Sequence, residues 1–282
     1  AILYDDIMRM CLLTVWSTLV AATMYAGGNV HNTSVGFTPL DDLAAGTYQG
    51  APGGLYPGGS NTMPAAHLAD GITAAAQVQP RDANGAPSPT GKVGIVTLGM
   101  SNGALVFGLV EELLRGTWKP GVVFVNGAQG SMDAVIWTNR AHVAWSNMLA
   151  RVAAAGLSTQ QVQVALNYHA VAHMQSPPKP WPATPGDLQL CQELIAGHLH
   201  NAFPNMRIAL WGTREYGGYA VGNNNPEPYA YQSAFAVKWM IERQINGDLT
   251  LNHDPLRGAV TVPWLAWGPY VWADGMRARC DG

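Results

Sequence analysis

The stretch VTLGMSNGALVFG, residues 96–108, decides how this chain is read. Its first four residues close the run KVGIVTLG (92–99), an apolar, β-branched segment of the kind that forms a strand buried on both faces. Gly99 ends the strand, Ser101 follows, and the apolar residues after Asn102 have helical composition. Ser101 therefore stands at a helix N-terminus, where unpaired N–H groups and the helix dipole favour negative charge. Ser is also a preferred N-cap residue. A reactive hydroxyl and a capping hydroxyl are thus the two readings of one residue, and capping is the expected role.

Working outward, four more runs read as strands: GVVFVNG (121–127), VQVALNY (162–168), MRIALWG (206–212) and GAVTVPW (258–264). Helical segments at about 102–116, 131–156, 186–203 and 230–246 separate them. Near-continuous apolar strands alternating with helices indicate a parallel sheet covered on both faces. The expected fold class is α/β, a three-layer, doubly wound flavodoxin-like sheet whose ligands sit beyond the carboxyl ends of the strands. The expected domain is 92–282. It is preceded by a Gly/Pro-rich wrapping extension, 31–91, in which PAAHLADGITAAAQV (64–78) reads as a helix with Pro64 in its first turn.

Residues 10–30 carry no charge, and as a helix these 21 positions would span about 31 Å, enough for a bilayer core. The segment 1–30 is expected to be a retained membrane anchor and to bring the chain into contact with the lipid bilayer. Arg9 flanks it on one side and no Lys or Arg follows until Arg81. The positive-inside rule then puts the N-terminus in the cytoplasm and the main domain in the periplasm of a bacterial inner membrane. Thr14, Ser17, Thr18, Ala21, Ala22 and Thr23 are small or hydroxylated, as in helices that pack against others in lipid. Charged residues make up 12% of the chain, the formal charge is -3, and no basic stripe exists to follow a phosphate backbone, which argues against a nucleic-acid partner. Of the three cysteines, Cys11 lies in the anchor, which leaves Cys191 and Cys280 as the one internal pair, and no Cys/His spacing suggests a metal. No cofactor is expected.

The ordered set Gly99-Met100-Ser101-Asn102-Gly103, VFVNGAQGSMD, YPGGSNTMP, NPEPYAYQSAFAVKWMIERQINGD and PWLAWGPYVWADG resembles the SGNH (GDSL-type) hydrolases, and within them a bacterial group of secreted proteins, over most of residues 50–280. The resemblance implies Ser101 as nucleophile. It implies an oxyanion held by the Ser101 N–H and by the N–H of Gly127 or Gly130, with Asn167 as a third donor. The chain departs from the pattern in reading Gly-Met-Ser for Gly-Asp-Ser, and in keeping only Asn167 of a Gly-x-Asn-Asp block. Its last residues, Cys280-Asp281-Gly282, come without the Asp-x-x-His that supplies the family's base. His169 and His173 follow the third strand on the same edge as Ser101, but two histidines without a third ligand or a carboxylate read as structural or exposed. Trp264 and Trp267 read as core, and the tyrosines of residues 215–232 as an interface or cleft wall.

The expected function is accordingly a membrane-anchored accessory or scaffolding subunit with a non-catalytic hydrolase-like domain. Its partners would be membrane protein subunits, met through the N-terminal helix and extracytoplasmic loops. The alternative is a serine esterase or deacetylase of the SGNH class acting on an extracytoplasmic ester or glycan.

Overall fold

The computed structural model describes residues 34–171, 179–219 and 226–277. The expected anchor at 1–30 lies outside them, as do Cys11, His173 and Cys280. Among the described residues no helix is long and apolar enough to cross a membrane.

In chain order the extension carries α1 (Leu40–Leu43), a hairpin of β1 (Thr47–Tyr48) and β2 (Ala51–Pro52), and α2 (Ala65–Ala76). Then come β3 (Val93–Gly99), α3 (Ser101–Leu113), β4 (Val122–Val125), α4 (Ala134–Trp137), α5 (Val143–Ala154) and β5 (Val162–Tyr168). The chain continues through α6 (Ala183–Ala202), β6 (Ile208–Gly212), α7 (Tyr229–Ile245) and β7 (Trp264–Trp267). The last five strands form one parallel sheet in the order β4-β3-β5-β6-β7, consistent with the flavodoxin-like order counted from β3.

Alternation along each strand divides the core. Val93, Ile95, Val164, Leu166, Ile208 and Leu210 face a layer that includes Phe107 and Val110 of α3 and Ala74 and Ala75 of α2. Val96, Leu98, Ala165, Ala209 and Trp211 face the opposite layer, which α5, α6 and α7 supply. Every residue of β3 and β5 is buried.

Two expected elements shift. The helix expected over 131–156 is broken at 138–142, because local bonds end one helix and start the next. The Thr138 hydroxyl returns to Val135 O, and His142 Nδ1 accepts from Ala144 N as the cap of α5. The fifth strand lies at Trp264–Trp267, just beyond most of the expected 258–264. Pro263 has no N–H to give a ladder, and Thr261 bonds to Asn252 instead of to β6. Tyr231, expected on a cleft wall, is buried within an aromatic cluster with Phe37, Tyr48 and Phe235. Trp264 and Trp267 are buried as expected.

The extension is fastened by long-range polar bonds. The buried Lys238 of α7 donates to Pro52 O at 2.8 Å and to Gly53 O, and Trp267 Nε1 donates to Leu55 O at 2.6 Å. The buried carboxylate of Asp274 accepts from Ser34 Oγ (2.6 Å), Val35 N (2.7 Å) and Gly36 N (3.1 Å). α2 lies over the β7 edge. A Cβ on its Gly71 would sit 2.3 Å from the Trp264 ring, and His67 and Trp264 exchange bonds with backbone oxygens across the joint. Cys191 is half-buried and in no disulfide; burial, with Asp133 and Asp187 nearby, pushes its thiol up to about 11.

Candidate functional site

β3 lies between β4 and β5, where the strand order reverses, and its carboxyl end is the expected place for a ligand in such a sheet. Gly99 closes that end because the chain crosses β5 there. A Cβ at Gly99 would come 2.5 Å from Tyr168 O. Met100 is then the N-cap of α3 and makes no side-chain cap bond. Ser101 is the first residue inside the helix and is exposed, and its hydroxyl has no hydrogen-bond partner among the described residues. The capping role expected for Ser101 is therefore overturned: the chain turns helical one residue earlier than the cap reading needs.

The loop after β4 is laced to its surroundings. Arg151 Nη1 reaches Asn126 O (2.9 Å) and Ala128 O (3.0 Å), and the buried Gln129 side chain donates to Ala144 O (2.8 Å). Gln129 N donates to Gly99 O at 3.0 Å, which draws this loop against the end of β3. Of the two glycines implied as oxyanion donors, Gly127 is buried and its N–H is spent on Thr97 Oγ1 at 3.2 Å. Gly130 is exposed, the space beside its Cα is open, and its N–H meets no acceptor among the described residues. Asn167 is buried on β5. Its Nδ2 donates to Leu210 O at 3.2 Å, so one N–H of this amide braces β6.

The described histidines have other surroundings. His169 is buried between Trp137 (ring centroids 6.3 Å apart) and Trp211 (5.9 Å), and burial lowers its pKa to about 3. It is neutral near pH 7 and unable to accept a proton there. His67 bonds Leu265 O, and His198 bonds Thr138 O. No described imidazole is hydrogen-bonded to Ser101. Among the described residues no three His, Cys, Asp or Glu groups are placed to share a metal ion.

Sequence reasoning missed the polar cluster beside Ser101. Asn102 Nδ2 donates to Glu215 Oε1 at 2.9 Å, and Glu215 N donates to the Tyr168 hydroxyl at 3.3 Å. The Arg214 guanidinium stands 6.0 Å over the Tyr168 ring, with Nη2 3.9 Å from Glu215 Oε1. Its side chain is only 7% exposed, and Nε and Nη1 have no hydrogen-bond partner among the described residues. Burial lowers its pKa to about 10, against the pull of Glu227. Glu215 keeps 39% of its side-chain exposure, yet Oε2 is buried without a partner and the crevice raises its pKa, opposed by the bonds it accepts. The signal was there to be found, in TREYGGY (213–219): two ionisable residues directly after a strand, on the ligand-binding edge. Glu227 holds the far side of the strap by accepting from Gly217 N (2.8 Å), Tyr231 N (3.0 Å) and Trp272 Nε1 (2.7 Å).

The chain matches no protein-family model, and no curated protein is similar to it.

Proposed function

We propose that Ser101 is the nucleophile of a serine esterase or deacetylase of the SGNH kind, acting on an extracytoplasmic ester. The observation that carries this reading is the exposed Ser101 hydroxyl at the strand-order reversal, capping nothing. The Ser101 and Gly130 N–H groups and the α3 dipole would stabilise an oxyanion. In the reaction Ser101 Oγ attacks the acyl carbon, and its proton passes through a base to the departing alkoxide. Water then repeats the sequence and releases the acid. Without a base a serine hydroxyl is a weak nucleophile, so the reading requires one from outside the described residues. The test is labelling by a fluorophosphonate together with turnover of p-nitrophenyl acetate. Both are expected from the folded chain and neither from Ser101→Ala; a folded chain inert in both assays rejects the reading.

A second reading is favoured by the lack of any described imidazole at Ser101. In it the chain is an accessory or scaffolding subunit, held by residues 1–30 in a bacterial inner membrane with the main domain in the periplasm. Its partners would be membrane protein subunits. Mild-detergent extraction and native electrophoresis test it: migration in a large complex supports it, and a lone monomer with esterase activity rejects it.

A further inference from the structure

On the opposite edge of the sheet, at the amino ends of β6 and β7, lies a cleft of about 330 Å³. It is framed by the outer stripe of α2, the turn before β7 and the chain between α6 and β6. Its size is at the lower end of the roughly 300–1,000 Å³ range of small-molecule sites. Two side-chain nitrogens in its walls are buried without a hydrogen bond among the described residues, Arg207 Nε and His200 Nδ1. A third nitrogen on the wall, His253 Nε2, faces Asp70 Oδ2 at 3.5 Å. Arg207 Nε–H is an obligate donor, and a buried donor left without an acceptor is destabilising.

The acids in the cleft do not answer it. The Asp254 carboxylate is taken by Leu256 N at 2.8 Å, and Asp70 is 54% exposed beside His253. The charged groups that bear on Arg207 and His200 are cations: Arg81 on the first, and Arg207 itself on the second. Burial and like charge both lower the Arg207 pKa, and the charge of a bound anion opposes that shift. The remaining wall is apolar, with Met206, Val262 and the Trp264 ring among prolines.

We propose that this cleft is a binding site for a small organic carboxylate with an apolar body, its carboxylate on Arg207 and the His200 imidazole and its hydrocarbon against Met206, Val262 and Trp264. The site is separate from Ser101 and does not depend on what that serine does.

The test is isothermal titration of the Ser101→Ala chain with phenylacetate, phenylacetamide and inorganic phosphate, so that its outcome is independent of hydrolysis. Phenylacetate is expected to saturate with a Kd on the order of 1 mM or below. Arg207→Met, which breaks no side-chain bond made in the cleft, should weaken it about tenfold or more at unchanged Tm, and phenylacetamide should be weaker by a similar factor. Thr73→Trp, which fills the cleft from the exposed side of α2, should abolish binding. Phosphate should not saturate, for want of an apolar body. The proposal is overturned if phenylacetate fails to saturate, if either variant binds it as well as the parent, or if the amide or phosphate binds equally well.

Discussion

Asn102 Nδ2 and Glu215 Oε1 stand 2.9 Å apart, and through that bond the first turn of α3 is joined to the strap after β6. Asn102→Ala leaves a carboxylate in a crevice with one bond fewer. The expected cost is about 1 kcal/mol, a charged hydrogen bond discounted for the exposure of Glu215. Urea denaturation should show a lower midpoint at unchanged slope. No shift in midpoint would mean the strap is held by Glu227 alone.

Ser101→Ala should leave stability within about 0.5 kcal/mol of the parent, because an exposed hydroxyl without a partner is removed. A capping serine would lose about 1 kcal/mol. The same denaturation experiment separates the two, and a loss of that size would restore the cap.

Asp274→Ala removes the acceptor of three donors at residues 34–36. With the carboxylate buried, the expected loss is about 3 kcal/mol. Limited proteolysis should then cut near residues 34–39 faster than in the parent. Equal resistance in the two proteins would show that Leu40 and its bond to the Tyr270 hydroxyl suffice to hold the segment.

His169 makes stability pH-dependent. Burial holds its folded pKa at about 3, below the roughly 6.5 of an unfolded chain. Between those values the unfolded chain binds a proton that the folded chain refuses. The contribution is therefore neutral above about pH 6.5 and turns destabilising as pH falls toward 3, by at most about 1.4 kcal/mol per unit. His169→Phe, set between Trp137 and Trp211, should flatten the decline in stability from pH 6.5 to 4.5. Parallel slopes for variant and parent would contradict this.

The strands were legible where one residue's burial did not depend on a distant partner. The runs that became β3 and β5 are apolar on both faces, and their strand character is written in composition alone. Helix breaks and strand ends were not, because they turn on single bonds such as the His142 cap and on Pro263. At the site, the position of Ser101 was legible since the strand end at Gly99 and the serine lie two residues apart. Its spent and open neighbours were not: Gly127 and Gly130 look alike in sequence and differ in burial and in the bond that Thr97 accepts from Gly127. The Asn102–Glu215 contact spans 113 residues, and no local pattern announces it.

α2 precedes the sheet in the chain yet covers β6 and β7, with His67 bonded to Leu265 across 198 residues. A helix made early during synthesis must thus wait for the strand made last, its Gly71 face uncovered until Trp264 arrives. Such distant pairing pays loop-closure entropy before any contact repays it and slows folding. The nascent chain therefore carries an open sheet edge until β7 emerges, and in that interval the protein is most exposed to misassociation.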